Sequence, residues 1–258
     1  MSSPATRLNL IGIGTGNPEH LTREAIRAIN EAALILIPRK GPDKADLADL
    51  RRAICAEVLT NPAARIVEFD MPVRDGAAPD YRACVAAWHA AIAARWSAAI
   101  TRALPQGGEV ALLVWGDPSL YDSTLRIAAR LGLATRVVPG ITAIQALTAA
   151  HGVALNEVGA PVLVTTGRRL REQGWPADVD TLVVLLDGGC AFQTLAPGGV
   201  EIWWGAYLGM AAQILEAGPL ASAGPAIMAR RAAARAAHGW IMDVYMLRRA
   251  AMQGASSS

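Results

Sequence analysis

Apolar runs of strand length alternate with longer stretches of helical period along this chain. The run Leu8–Ile13 predicts a strand, and Thr22-Arg23-Glu24-Ala25 then opens an apolar-periodic stretch that Thr22 can cap as a helix. A strand at 33–37, a helix from about Asp43 to Leu59 and a strand at Arg65–Phe69 follow. From Asp80 to Arg102 the apolar positions Val85, Trp88, Ile92, Trp96 and Ile100 recur every three or four residues, which is one face of a long helix. That spacing assigns Trp88 and Trp96 to packing rather than to a ligand. Strands at 109–115 and 135–139 complete the first half. A helix over Ser119–Leu131, capped by Asp117 and carrying Tyr121 one turn in, is expected between them, and another starts near Thr142. The second half predicts strands near 161–166, 180–186, 200–204 and 225–229. A last strand near 240–247 is expected to return antiparallel. Arg230-Arg231 falls in an amphipathic helix.

Strands that alternate with helices predict an α/β protein built from parallel βαβ units. The expected division is an N-terminal α/β domain over 1–139, with a mostly parallel sheet, and a C-terminal α/β domain over 140–258, with a mixed sheet. Gly254-Ala255-Ser256-Ser257-Ser258 reads as a tail.

Three strand ends carry glycine: Gly12-Ile13-Gly14-Thr15-Gly16-Asn17-Pro18, Gly116-Asp117-Pro118-Ser119-Leu120-Tyr121 and Pro139-Gly140-Ile141-Thr142. In an open parallel sheet such ends converge on one crevice, where ligands gather. A dinucleotide fingerprint is not met, because its third glycine would fall at Asn17 and the second strand ends in Pro38-Arg39-Lys40 instead of an acidic residue. The phosphate-binding pattern G-x-x-x-x-G-K-[ST] does not occur.

With 53% hydrophobic and 18% charged residues among 258, the chain can bury substantial cores. A net charge of +2 provides no global field for nucleic acid, so no nucleic-acid partner is expected and any basic site must be local. No run of about 18 uninterrupted apolar residues is present, so no membrane span is expected, and the start lacks a secretory pattern. Cys55, Cys84 and Cys190 are odd in number and show no C-x-x-C spacing. His20, His89, His151 and His238 do not pair at ligand spacing. Both facts point to a reduced cytoplasm and to no metal.

Taken together, Gly-x-Gly-x-Gly-x-Pro-x-x-Leu-Thr, Gly-Asp-Pro-x-x-Tyr and Pro-Gly-Ile-Thr-Ala resemble the tetrapyrrole (corrin/porphyrin) methyltransferase family. The runs Trp115–Thr124, Gly239–Asp243 and Lys40-Gly41…Lys44–Leu47 resemble its deacetylating branch, over roughly residues 7–249. One departure is Arg39, where that branch usually has an acidic residue. The resemblance implies two α/β domains with S-adenosylmethionine (SAM) in the cleft between them, S-adenosyl-L-homocysteine as its product, and a homodimer. It implies precorrin-5 as the substrate, methylated at C-1 with loss of an acetyl group as acetate, in cobalamin biosynthesis. Other members of the family, acting on another macrocycle or on RNA, and a non-catalytic tetrapyrrole or nucleotide sensor are the alternatives.

By the same resemblance, Gly12, Gly116, Asp117, Pro118, Tyr121, Thr142, Ala143, Leu186, Asp187, Tyr207, Leu208 and Ala226 would bind the cofactor. Leu186 stands where relatives often carry a methionine. SAM has no phosphate, so it asks for backbone groups and an apolar wall. A polycarboxylate substrate asks for local cations, and Arg39, Lys40, Arg168 and Arg169 are the candidates, with Lys44 and Arg171 nearby. Loss of the acetyl group calls for a positioned water and a base. Asp117, Tyr121 and Asp243 are the first catalytic candidates, with Asp122 and Asp187 beside them. No G-x-S-x-G run supports an acyl-enzyme.

Overall fold

The computed structural model describes residues 5–39, 45–74 and 80–249. The chain forms two compact units, residues 1–142 and 143–258.

In the first unit, β1 (Arg7–Gly12), β2 (Leu34–Arg39), β3 (Arg65–Asp70), β4 (Glu109–Val114) and β5 (Ala134–Val138) make one parallel sheet in the order β3-β2-β4-β1-β5. Alternate residues of the central strands enter different cores, so the strands read as hydrophobic runs, broken within β1 by buried Asn9, which donates to Glu109. Leu8, Leu10, Leu34, Leu36, Leu112 and Val114 pack against α3 (Tyr81–Ala103) and α4 (Thr124–Ala128). Ile11, Ile35, Ile37, Ala111 and Leu113 pack against α1 (Arg23–Glu31) and α2 (Ala45–Val58).

The expected elements of this unit are present, with Thr22 accepting from the Ala25 amide and Asp80 from the Ala83 amide at their helix starts. On α3, Ile92, Trp96 and Ile100 are buried in the core, and Trp88 packs beside them with its Nε1 donating to the Pro72 carbonyl. Among the described residues α3 is the one helix long and apolar enough to cross a membrane by length and composition. One expectation fails: 119–131 is not one helix. Tyr121 has φ of 49°, which no right-handed helix admits, so α4 starts only at Thr124, with a 3-10 turn after it. Tyr121 therefore lies in the loop before α4 rather than inside a helix.

The second unit opens with α5 (Ala143–His151) and holds a mixed sheet, β6-β7-β10-β8-β9. Its strands are β6 (Val162–Thr166), β7 (Thr181–Leu185), β8 (Val200–Ala206), β9 (Ile214–Pro219) and β10 (Asp243–Arg249). Only β6 and β7 are parallel, and β10 runs antiparallel to both of its neighbours, β7 and β8. The expected strand at 225–229 is instead the middle of α7 (Leu220–His238). Leu220, Ala223, Gly224, Ile227 and Ala234 form its buried face, and that spacing is helical despite Pro225. The strand lies just before it, as β9.

The sheet of the first unit closes at its carboxyl end by backbone packing. A Cβ on Gly12 would stand 2.6 Å from the Gly140 nitrogen, and one on Gly140 would stand 2.1 Å from the Gly116 carbonyl oxygen. Neither neighbour is a side chain that can swing aside. Gly140→Ala should therefore cost about 1–3 kcal/mol through overpacking. At Gly152, with φ of 64° and no atom near, the same change costs about 1 kcal/mol of backbone strain only. Thermal melts of the two variants should rank Gly140→Ala as the lower; an equal or reverse ranking would refute the packing account.

Candidate functional site

Two rims of strand ends hold most of the candidate residues, one in each unit. In the first unit α1 follows β1 onto one face of the sheet, whereas α4 follows β4 onto the other. Neighbouring strands whose connections leave on opposite faces define a switch point, where an open α/β sheet offers a crevice. Gly12 and Gly116 sit at that point. Gly14 and Gly116 exchange backbone hydrogen bonds of 3.3 and 2.7 Å. Asp117 Oδ2 accepts from the Gly140 amide at 2.9 Å, while Oδ1 accepts from the Ser119 amide and hydroxyl. Asp117 thus ties the end of β4 to the end of β5, and Thr142 and Ala143 follow directly. Burial pushes its carboxyl up, but the bonds from Ser119 and Gly140 outweigh this and hold the pKa below the ordinary value. Gly116 has φ of 61°, and a Cβ there would touch nothing closer than Thr142 Cα at 3.7 Å. Pro118 is buried, and Tyr121 is 44% exposed in its left-handed conformation.

In the second unit β6, β7 and β8 point the same way, with the start of β10 between the last two. Thr166 pairs with Leu185, and Asp243 pairs with Ala206. Leu186, Asp187, Asp243, Tyr207 and Leu208 are thereby brought to one edge, next to Arg168 and Arg169 at the start of α6 (Gly167–Gln173). Leu186 has φ of 54° and is 68% exposed, and Tyr207 has φ of 50°. Bulky residues in this region are strained by about 1–3 kcal/mol, and such strain gathers at ligand sites. Tyr207 is buried, its hydroxyl donating to the Trp240 carbonyl at 2.5 Å, and Leu208 is buried with it.

Asp187 and Asp243 are anchors below this rim. Asp187 accepts from Arg171 Nη1 (2.8 Å), Tyr245 Oη (2.6 Å) and the amides of Gly189 and Ala191 (3.1 and 2.5 Å). Asp243 Oδ2 accepts from Arg231 Nε at 2.8 Å and Trp204 Nε1 at 3.0 Å, and Arg231 also reaches the Asp187 carbonyl oxygen. No sequence spacing announces the roles of Arg231 and Tyr245, since their partners lie 12 and 58 positions away.

The remaining candidates are more scattered. Ala226 lies half-buried in mid-helix on α7, because the strand expected there is absent. Arg39 ends β2 and pairs with Asp70 at 2.9 Å, with Glu68 at 3.9 Å. Arg169 bonds Gln173 one turn on, and Arg168 is exposed. Lys40 and Lys44 lie outside the described residues.

Burial pushes the Asp187 carboxyl up, but hydrogen bonds from Tyr245, Ala191, Arg171 and Gly189 outweigh it, so its pKa is lowered. A lowered carboxylate pKa gives stability that is present above the unfolded value, near pH 4, and is lost as pH falls through the folded value. Asp187→Asn should cost about 2–3 kcal/mol at neutral pH and flatten the acid limb of stability below pH 4. Melting temperature against pH checks both, and an unchanged acid limb would refute the role.

The profile of the Tetrapyrrole (Corrin/Porphyrin) Methylases matches residues 7–224. The chain is 48% identical over 251 residues to a precorrin-6A synthase [deacetylating] from Sinorhizobium sp, covering 95% of this chain and 96% of that protein. Among solved structures, a cobalamin-synthesis-related protein (CobF) from Corynebacterium diphtheriae is 39% identical with a TM-score of 0.80, over 95% of this chain and 99% of that one. Uroporphyrin-III C-methyltransferase from Thermus thermophilus, solved with S-adenosylhomocysteine, shares the fold at 20% identity, with a TM-score of 0.55 over 94% of this chain and 97% of that one. With a family match over residues 7–224 and 48% identity to a relative along nearly the whole chain, the chain belongs to the tetrapyrrole (corrin/porphyrin) methylase family.

Proposed function

We propose that this chain is a SAM-dependent C-methyltransferase of aerobic cobalamin biosynthesis. It methylates C-1 of precorrin-5 and releases acetate, giving precorrin-6A. The observation that carries this reading is the 48% identity to the Sinorhizobium precorrin-6A synthase over nearly the whole of both chains. The site residues are compatible with SAM: glycine backbone at the first rim, exposed Leu186 and Tyr121 as apolar surface, and no phosphate-binding loop. Gly12, Gly116, Asp117, Pro118, Tyr121, Thr142 and Ala143 would hold it from the first unit, and Leu186, Asp187, Tyr207 and Leu208 from the second. Gly12 acts by close packing, and Asp117 and Asp187 by fixing the loops. Ala226 is the outlying member of the proposed set.

When bound, SAM supplies the methyl group for an in-line transfer from sulfur to carbon. The protein's part is to position the ring carbon and to keep water away from the transfer. Acetate release needs one water directed at the acetyl carbonyl. Asp117 and Asp187 have both carboxylate oxygens engaged by the fold. Asp243 is held by Arg231 and Trp204. Asp122 uses Oδ1 to accept from the Thr124 amide, and its Oδ2 has no partner among the described residues. Asp243 likewise engages only Oδ2, so Asp122 and Asp243 are both candidates for the base, with Tyr121 kept as a further catalytic candidate. Arg39, Lys40, Arg168 and Arg169 would meet the substrate's carboxylates. We further propose a cytoplasmic homodimer; the odd number of cysteines and their lack of C-x-x-C spacing support a reducing compartment, and the family resemblance supports the dimer.

Anaerobic incubation with precorrin-5 and labelled SAM tests the reading. One acetate should appear per methyl transferred, and S-adenosylhomocysteine should raise the melting temperature where NADH and ATP do not. Methylated product that keeps its acetyl group would favour a plain corrin methyltransferase.

Leu186→Gly is a sharper test of the second rim. Glycine relieves the left-handed strain, so stability should stay level or rise by about 1 kcal/mol. Loss of the exposed side chain should weaken S-adenosylhomocysteine binding about tenfold, as measured by calorimetry. Unchanged binding would remove Leu186 from the site.

A further inference from the structure

Arg51 sits on α2 with only 6% of its surface exposed. Its Nε donates to the Leu113 carbonyl at 2.9 Å, and its Nη1 to the Leu47 carbonyl at 2.9 Å. The guanidinium lies 5.0 Å from the centre of the Trp115 indole ring. Trp115 Nε1 is itself buried and meets no acceptor among the described residues. No carboxylate among the described residues lies within ion-pair distance of Arg51. Burial pulls its pKa down to about 10, against the longer-range field of Asp122.

A buried cation without a carboxylate is costly, and that cost offsets what its two bonds to carbonyls contribute. Stability therefore gives no reason for an arginine here. Its contacts give another. Leu113 and Trp115 bracket the last residue of β4, and Trp115 directly precedes Gly116-Asp117-Pro118. The guanidinium grips the strand by a carbonyl and the following ring by its face, in one rigid planar group. Lysine could make one of these contacts but not both in the same geometry.

We infer that Arg51 is a positioning residue: through the Leu113 carbonyl and the Trp115 ring it fixes the exit of β4, and so the Gly116-Asp117-Pro118 turn, in the orientation that receives the cofactor. The inference rests on the SAM-binding reading above. It extends the site to a residue on α2 that acts through the end of β4.

Arg51→Met, Arg51→Lys and Trp115→Phe test it in the full chain. In Arg51→Met the ligand-free melting temperature should stay level or rise. The dissociation constant for S-adenosylhomocysteine and the KM for SAM should rise at least tenfold, with kcat changed less. Arg51→Lys and Trp115→Phe should fall between Arg51→Met and the wild type. Without any ligand, amide hydrogen exchange of residues 114–118 should quicken at least tenfold in Arg51→Met while that of β1 stays unchanged. Wild-type affinity in Arg51→Met overturns the assignment. So does weakened binding accompanied by a clear drop in the ligand-free melting temperature, which marks a residue of the fold alone. If the wild type fails to bind S-adenosylhomocysteine, the cofactor reading falls; the exchange at 114–118 still decides whether Arg51 holds the turn.

Discussion

The contact on which the first unit depends is backbone against backbone. Gly12, Gly116 and Gly140 end three adjacent parallel strands and pack so closely that a single methyl at Gly12 or Gly140 has no room. Asp117 completes the joint by taking the Gly140 amide with one oxygen and the start of its own loop with the other. Strand ends normally diverge as their loops leave for different helices. Here they are held in register past the last ladder bond, so the loops after β1, β4 and β5 leave from one fixed point. A ligand at this switch point meets a surface whose shape is set by the main chain, with little side-chain freedom to lose on binding.

The second unit reaches a similar end by different means. Its rim is held by side chains: Asp187 gathers four donors, and Arg231 links Asp243 to the Asp187 carbonyl. These buried bonds are strong enough to hold Leu186 in a conformation that leucine avoids. Burial of the carboxylates is tolerable because each is met by a cation and by further hydrogen bonds. The unexpected part is the direction of the roles. Residues of the rim that look like ligand contacts in the sequence, Asp187 and Asp243, carry the strain, and the exposed apolar Leu186 is what they present.

Much of this was legible in the sequence. Strands β1 to β5 and helices α1 and α3 follow from apolar period and capping residues, because each buries a continuous face. The motif glycines also read as strand ends that converge, and Gly12, Gly116 and Gly140 do meet at one end of the sheet. Two kinds of information were not legible. Left-handed residues without glycine leave no trace, so the sequence reads as helical through Tyr121, whereas α4 starts only at Thr124. Around residues 214–229, a short strand and an alanine-rich helix are similar in apolar content, so a strand is expected at 225–229 where α7 forms. Partners such as Tyr245 for Asp187 and Arg51 for Trp115 depend on the folded path alone.

The strand order also constrains how the chain comes into being. β1 is made first, yet both of its neighbours, β4 and β5, come roughly a hundred or more residues later. At translation rates of about 5–20 residues per second, Leu8–Ile11 must wait about 5–20 s without a partner on either side. β2 and β3 can pair with each other in that interval but cannot shelter it. The nascent chain thus carries an apolar segment that only the completed first half can cover, and whatever shields it on the ribosome matters to the yield of this protein.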